Sequence, residues 1–188
     1  MALRGMNLPN SLTIARIFLV PVLVSVLLTK FEGRLVLGLP VELVGAAIFG
    51  IASLTDWADG YLARRRNQVT GFGQWMDPLA DKLLVTAALV SLVQMDRAQG
   101  WMVAIILGRE FMVTVLRSMA HAKGQTLPAS PLGKLKLVAQ VVAILVLILG
   151  DHMHSFYIVG TVALWVATIA ALISAADYSR RLNNILSG

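Results

Sequence analysis

Apolar residues run along this chain in six blocks, separated by short stretches rich in charge, glycine or proline. A helix that spans a bilayer needs about 20 mostly apolar residues. Phe156 to Ala176 meets that length without a single charge, and Leu12–Thr29, Val41–Ala63, Pro78–Met95, Trp101–Ala120 and Leu135–Gly150 meet it once their polar ends are included. The pattern predicts an all-α integral membrane protein of six transmembrane helices. Leu3, Met6 and Leu8, set among polar residues, predict a short N-terminal amphipathic helix lying at the interface ahead of the first span. Arg4 before an apolar run resembles a signal peptide. No small-x-small site closes the run near Thr29, however, so the segment is read as retained. No repeat, low-complexity tract or long linker divides the chain, and residues 1–188 read as a single membrane domain.

Composition agrees with the pattern. Hydrophobic residues make up 57% of the chain and charged ones 14%, against about 45–50% and 25% in soluble domains. The absence of cysteine excludes a disulfide framework, a thiolate metal site and a cysteine nucleophile. The net charge of +6 comes from Lys and Arg scattered between apolar blocks, which suits anionic membrane lipid and not nucleic acid. Six spans put both termini on one side. That side holds Arg4, Arg16, Arg64, Arg65, Arg66, Arg117, Lys123, Lys134, Lys136, Arg180 and Arg181, whereas the opposite loops hold Lys30, Arg34 and Arg97. The positive-inside rule therefore puts both termini in the cytoplasm.

The stretch from Asp56 to Asp81, "DWADGYLARRRNQVTGFGQWMDPLAD", changes the picture. Asp56 and Asp59 are three apart and Asp77 and Asp81 four apart, so each pair shares a helix face. The polar loop "RRRNQVTGFG", with Gly71 and Gly73 as turn residues, returns the chain so that the carboxylates meet at the cytoplasmic rim. An uncompensated charge at mid-membrane costs about 2.5–3.5 kcal/mol, and less near the edge. Oxygen-only ligands suit a hard divalent cation, and two such ions about 3.5–4 Å apart suit phosphoryl transfer. Gly60 and Ala63 would let a bulky ligand approach, and Arg64 can reach a phosphate. A solvated loop of ion-paired Asp and Arg is the bland alternative, and the doubled carboxylate pairing argues against it.

Asp56-x-x-Asp59-Gly60-x-x-Ala63-Arg64, then Gly73-x-x-x-Asp77-x-x-x-Asp81, resembles the sequence motif of the CDP-alcohol phosphatidyltransferases at every fixed position. That resemblance implies the six-helix fold of the family, a multi-pass location in the inner (cytoplasmic) membrane and, often in such proteins, a homodimer. It implies that Asp56, Asp59, Asp77 and Asp81 hold two Mg²⁺ or Mn²⁺ ions, and that Asp81 also takes the acceptor's proton. It implies that Gly60, Arg64 and Thr70 touch CDP-diacylglycerol. Spacing alone does not say which aspartate is the base. Asn10, Thr13 and Arg16 recur every three residues at the start of the first span. Asn10 and Thr13 are candidates for the CDP-lipid, although Asn10 also suits a helix N-cap. Arg16, a charge inside an apolar block, is a candidate for the same site.

The acceptor must be read elsewhere. Arg109 and Glu110 interrupt the fourth block, Arg117 follows Arg109 by eight residues on about the same face, and Lys134 and Lys136 open the fifth. Arg109, Arg117, Lys134 and Lys136 are candidates to bind an anionic acceptor such as a phosphorylated polyol, with Glu110 beside them. Positive-inside charge accounts in part for the lysines but not for Arg109. The stretches Gly108–Gly124 and Ser130–Gln140 resemble the bacterial phosphatidylglycerophosphate synthases, which implies sn-glycerol 3-phosphate as acceptor. Gly133-Lys134-Leu135-Lys136 fits that branch, while Leu137 stands where threonine is usual. Inositol phosphate or phosphatidylglycerol as acceptor stays open. A divalent-cation transporter is a more distant reading, disfavoured because the aspartates lie at one membrane face beside the Arg64–Arg66 cluster.

Overall fold

In the computed structural model every apolar block folds as a helix. The structure describes the backbone of residues 8–29, 35–36, 38–66, 71–122, 131–150 and 154–186, and the side chains of these except 8–11, 56–66, 71–78, 121–122, 131–134, 154–155 and 181–186. The helices are α1 (Leu8–Leu28), α2 (Val41–Arg66), α3 (Gly71–Gln94), α4 (Gly100–Ala122), α5 (Pro131–Leu149) and α6 (His154–Leu186). The chain forms two compact units, Met1–Met95 and Asp96–Gly188.

In the first unit α1 packs against both α2 and α3. Leu23, Val26 and Leu27 of α1, Phe49 and Ala52 of α2, and Ala80, Leu84, Ala88 and Leu92 of α3 are buried. Their spacing of three and four residues is the stripe one helix face presents to its neighbours. A two-residue antiparallel pair, β1 (Leu35–Val36) and β2 (Leu39–Pro40), precedes α2. Gly38 supplies the positive φ of 79° that this tight connection needs.

In the second unit α6 packs against both α4 and α5. Ala143, Ile144, Leu147 and Ile148 of α5 and Leu164, Ala167 and Ala171 of α6 are buried. Small residues keep the two backbones close, most tightly at Gly160, where a Cβ would lie 2.7 Å from Leu147 Cγ. The Gln99 carbonyl accepts from the Met102 and Val103 amides and caps the start of α4. Arg97 Nη1 donates to the Leu147 and Ile148 carbonyls at 3.0 and 3.1 Å, which satisfies the end of α5 and complements its negative dipole end.

Large apolar side chains are exposed on all six helices, among them Phe18, Leu54, Leu83, Phe111, Val138 and Val162, while Thr13, Arg16, Lys136, Gln140 and Ser174 are buried. Outward apolar and inward polar groups invert the soluble arrangement. Among the described residues one helix, over Phe156–Arg180, is long and apolar enough to cross a membrane by length and composition. Leu12–Leu28, Val41–Thr55 and Leu135–Leu149 are shorter apolar stretches.

Three expectations about boundaries change. Gly71 and Gly73 are not turn residues: α2 runs through Arg66 and α3 begins at Gly71, so the connection shortens to residues 67–70. Ala63-Arg64-Arg65-Arg66 are strong helix formers and carry α2 onward. Pro78 is not the start of α3 but lies within it; it removes one backbone bond without ending the helix. The last helix runs ten residues past Ala176, because no glycine or proline follows before Gly188. Leu3 and Met6 of the expected amphipathic helix lie outside the described residues, and Leu8 is the first residue of α1.

Candidate functional site

The donor residues belong to the first unit. Asp56, Asp59, Gly60 and Arg64 lie on α2, and Asp77 and Asp81 on α3. Each aspartate pair thus lies within one helix at a three- or four-residue spacing. The side chains of Asn10, Asp56, Asp59, Gly60, Arg64 and Asp77, and all of Thr70, lie outside the described residues. Among the described residues no three His, Asp or Glu side chains converge. Asp81 is half-buried, between the buried Ala80 and Leu84 and the exposed Leu79 and Leu83. Thr13 and Arg16 are each 3% exposed. Arg16 therefore points into the unit and away from lipid, as a charge on an apolar helix must.

The acceptor candidates belong to the second unit, and here the side chains are described in detail. Glu110 on α4 accepts from Arg109 Nη1 at 3.0 Å and from Lys136 Nζ on α5. One carboxylate thus holds two cations whose side chains are only 9% and 4% exposed. Arg109 Nη2 also donates to Ser174 Oγ at 2.5 Å, and Arg117 Nη2 donates to the Tyr178 hydroxyl at 2.6 Å, both on α6. The Tyr178 ring lies 5.8 Å from the Arg109 guanidinium carbon and 5.3 Å from that of Arg117. Cations within about 6 Å of an aromatic centroid are attracted by its face.

Arg109, Arg117 and Lys136 are therefore gathered into one network with Glu110, and the shared face expected for Arg109 and Arg117 is the one α4 turns to α6. Lys134 lies on α5 with its side chain outside the described residues. Leu137, in the position where threonine is usual, is 54% exposed. Among the described contacts the network carries three cations and one carboxylate, a positive balance that suits a phosphate monoester. Its guanidinium forks match phosphate oxygens in pairs. Arg117 is exposed, while the groups that brace it are buried.

Ser174 and Tyr178 did not emerge from the sequence. The signal available was "SAADYS", where Ser174 near the end of the longest apolar run and Tyr178 just past it lie one turn apart. Glu110 emerged only as a neighbour of Arg109, not as the bridge between two helices.

Residues 6–173 match the family model described as CDP-alcohol phosphatidyltransferase. A protein of Bacillus subtilis (strain 168) named CDP-diacylglycerol–glycerol-3-phosphate 3-phosphatidyltransferase is 48% identical over 92% of this chain and 93% of its own length. Proteins of the same name from Rickettsia typhi and Pseudomonas fluorescens are 41% and 34% identical. These alignments cover 92% and 93% of this chain and 94% and 89% of the relatives.

Proposed function

The chain belongs to the CDP-alcohol phosphatidyltransferase family, and from that premise we propose that it transfers the phosphatidyl group of CDP-diacylglycerol to sn-glycerol 3-phosphate, giving phosphatidylglycerophosphate and CMP. The acceptor's primary hydroxyl attacks the phosphorus on the diacylglycerol side of the pyrophosphate. A new P–O ester bond forms, the bond to the CMP phosphate breaks, and CMP leaves with that electron pair. The hydroxyl proton passes to Asp81, a half-buried carboxylate on α3.

Asp56, Asp59, Asp77 and Asp81 would hold the divalent ions. The fit is supported by an all-oxygen donor set and by helical placement of both pairs. When bound, Mg²⁺ or Mn²⁺ supplies charge stabilisation to the transferring phosphate and the leaving group. Gly60, Arg64, Thr70, Asn10 and Thr13 contact the CDP-lipid, with Arg16 buried beside Thr13. Arg109, Arg117, Lys134 and Lys136 bind the acceptor phosphate.

The observation that carries the acceptor assignment is the braced cationic network on α4, α5 and α6. Neutral acceptors give such a cluster nothing to bind. The test measures CMP release from CDP-diacylglycerol with glycerol 3-phosphate, inositol phosphate and phosphatidylglycerol in turn. Release with either of the latter but not with glycerol 3-phosphate refutes the assignment. Arg109→Ala raises KM for glycerol 3-phosphate about tenfold or more, the loss of a charged contact. KM for the lipid stays near its starting value, and an equal rise in both refutes a separate anion site.

All six helices cross the inner membrane in this reading, with both termini cytoplasmic. Helices of 19 residues or more reach about 28 Å at 1.5 Å per residue, close to the hydrocarbon thickness. Their exposed apolar faces fit the same reading. The chain acts as one membrane domain over 1–188 and pairs as a homodimer.

A further inference from the structure

We propose that Ser174 and Tyr178 are positioning residues that hold the guanidinium groups of Arg109 and Arg117 as a pair for one acceptor phosphate. The inference rests on the reading that these arginines bind that phosphate. Their Cα atoms are eight residues apart on α4, about 12 Å along its axis, and a phosphate is far smaller than that. Two long side chains must lean toward each other, against both their rotamer freedom and their mutual repulsion. α6 supplies what that requires. Ser174 and Tyr178, one turn apart, each accept a hydrogen bond from one arginine, at 2.5 and 2.6 Å. The Tyr178 ring lies within 6 Å of both guanidinium carbons, so one aromatic ring attracts both cations.

Burial separates the roles. Ser174 is 0% and Tyr178 1% exposed, so packing locks their rotamers, while Arg117 is exposed and open to a ligand. Alanine and phenylalanine would fill the same space in the α4–α6 contact without either hydroxyl. Polar atoms at these two buried positions are therefore explained by the nitrogens they meet.

The experiment uses the full-length enzyme and the CMP-release assay, varying each substrate separately. Tyr178→Phe raises KM for glycerol 3-phosphate about tenfold, the loss of one hydrogen bond to a charged group. It leaves kcat and KM for CDP-diacylglycerol within about twofold, and Ser174→Ala acts in the same direction. In an Arg117→Ala background Tyr178→Phe adds nothing further, because the hydroxyl acts through Arg117. A Tyr178→Phe effect that persists in full in that background overturns the inference, whatever the melting temperature of the variants. So does an unchanged KM in Tyr178→Phe when Arg117→Ala alone raises it, an outcome that leaves the acceptor reading standing. An unchanged acceptor KM in both Arg109→Ala and Arg117→Ala overturns the acceptor reading, and this inference with it.

Discussion

Glu110→Gln tests how the cationic network is held together. Glu110 lies 3.0 Å from Arg109 and also accepts from Lys136. At 3.0 Å and an effective dielectric of about 20, one such pair attracts by about 5.5 kcal/mol before desolvation. Burial of the three ions offsets much of that. Removing one partner of a buried pair costs about 3–5 kcal/mol, because the remaining charges are stranded. Here two cations lose the carboxylate they share, with side chains 9% and 4% exposed. The lower figure applies, because Glu110 keeps 23% of its side-chain exposure and Ser174 still holds Arg109. A loss of about 3 kcal/mol lowers the melting temperature of a chain this size by about 6–12 °C.

The assay is thermal unfolding of the purified protein in detergent, followed by circular dichroism. Adding Lys136→Met to Glu110→Gln removes one of the two cations that Glu110 held and recovers about half of the lost stability. Replacing both members of an ion pair costs less than removing one. A single variant that melts within about 2 °C of the parent refutes the bridging role. A double variant that melts no higher than the single one refutes the stranded-charge explanation.

Other expectations concern the first unit and the α5–α6 contact. Asp81→Asn abolishes CMP release while CDP-diacylglycerol still binds in an equilibrium assay, and intact turnover removes Asp81 as the base. Chelation by EDTA stops turnover and added Mg²⁺ or Mn²⁺ restores it; turnover that survives chelation refutes the metal assignment. Gly160→Ala puts a Cβ 2.7 Å from Leu147 Cγ and 3.1 Å from its backbone nitrogen, a clash of about 1–3 kcal/mol. In a Leu147→Ala background the same substitution costs measurably less in thermal unfolding, and strict additivity of the two refutes the contact as the cause.

Legibility followed the range of the interaction. The six helices could be read because apolar length is a local property, and the helical placement of the aspartates on α2 and α3 because three- and four-residue spacing is local too. The start of α3 was not legible, because a proline usually marks the edge of a helix, whereas α3 begins at Gly71 and continues through Pro78.

The partners of the arginines were not legible. Arg109 meets Ser174 across 65 residues and Arg117 meets Tyr178 across 61. Those meetings depend on how α4 crosses α6, and no period in the sequence encodes that crossing. A filter on hydroxyls narrows the search. Thr55, Thr114, Ser118, Thr161 and Thr168 each donate to the carbonyl four residues earlier, so their polarity is answered within one turn. Ser174 and Tyr178 instead accept from cations on another helix. In an apolar helix, polar residues spaced one turn apart are thus weak evidence individually. They become strong evidence when a second helix carries charges at a spacing that lets both be reached. Arg109 and Arg117, eight residues apart, met that condition for Ser174 and Tyr178, four apart.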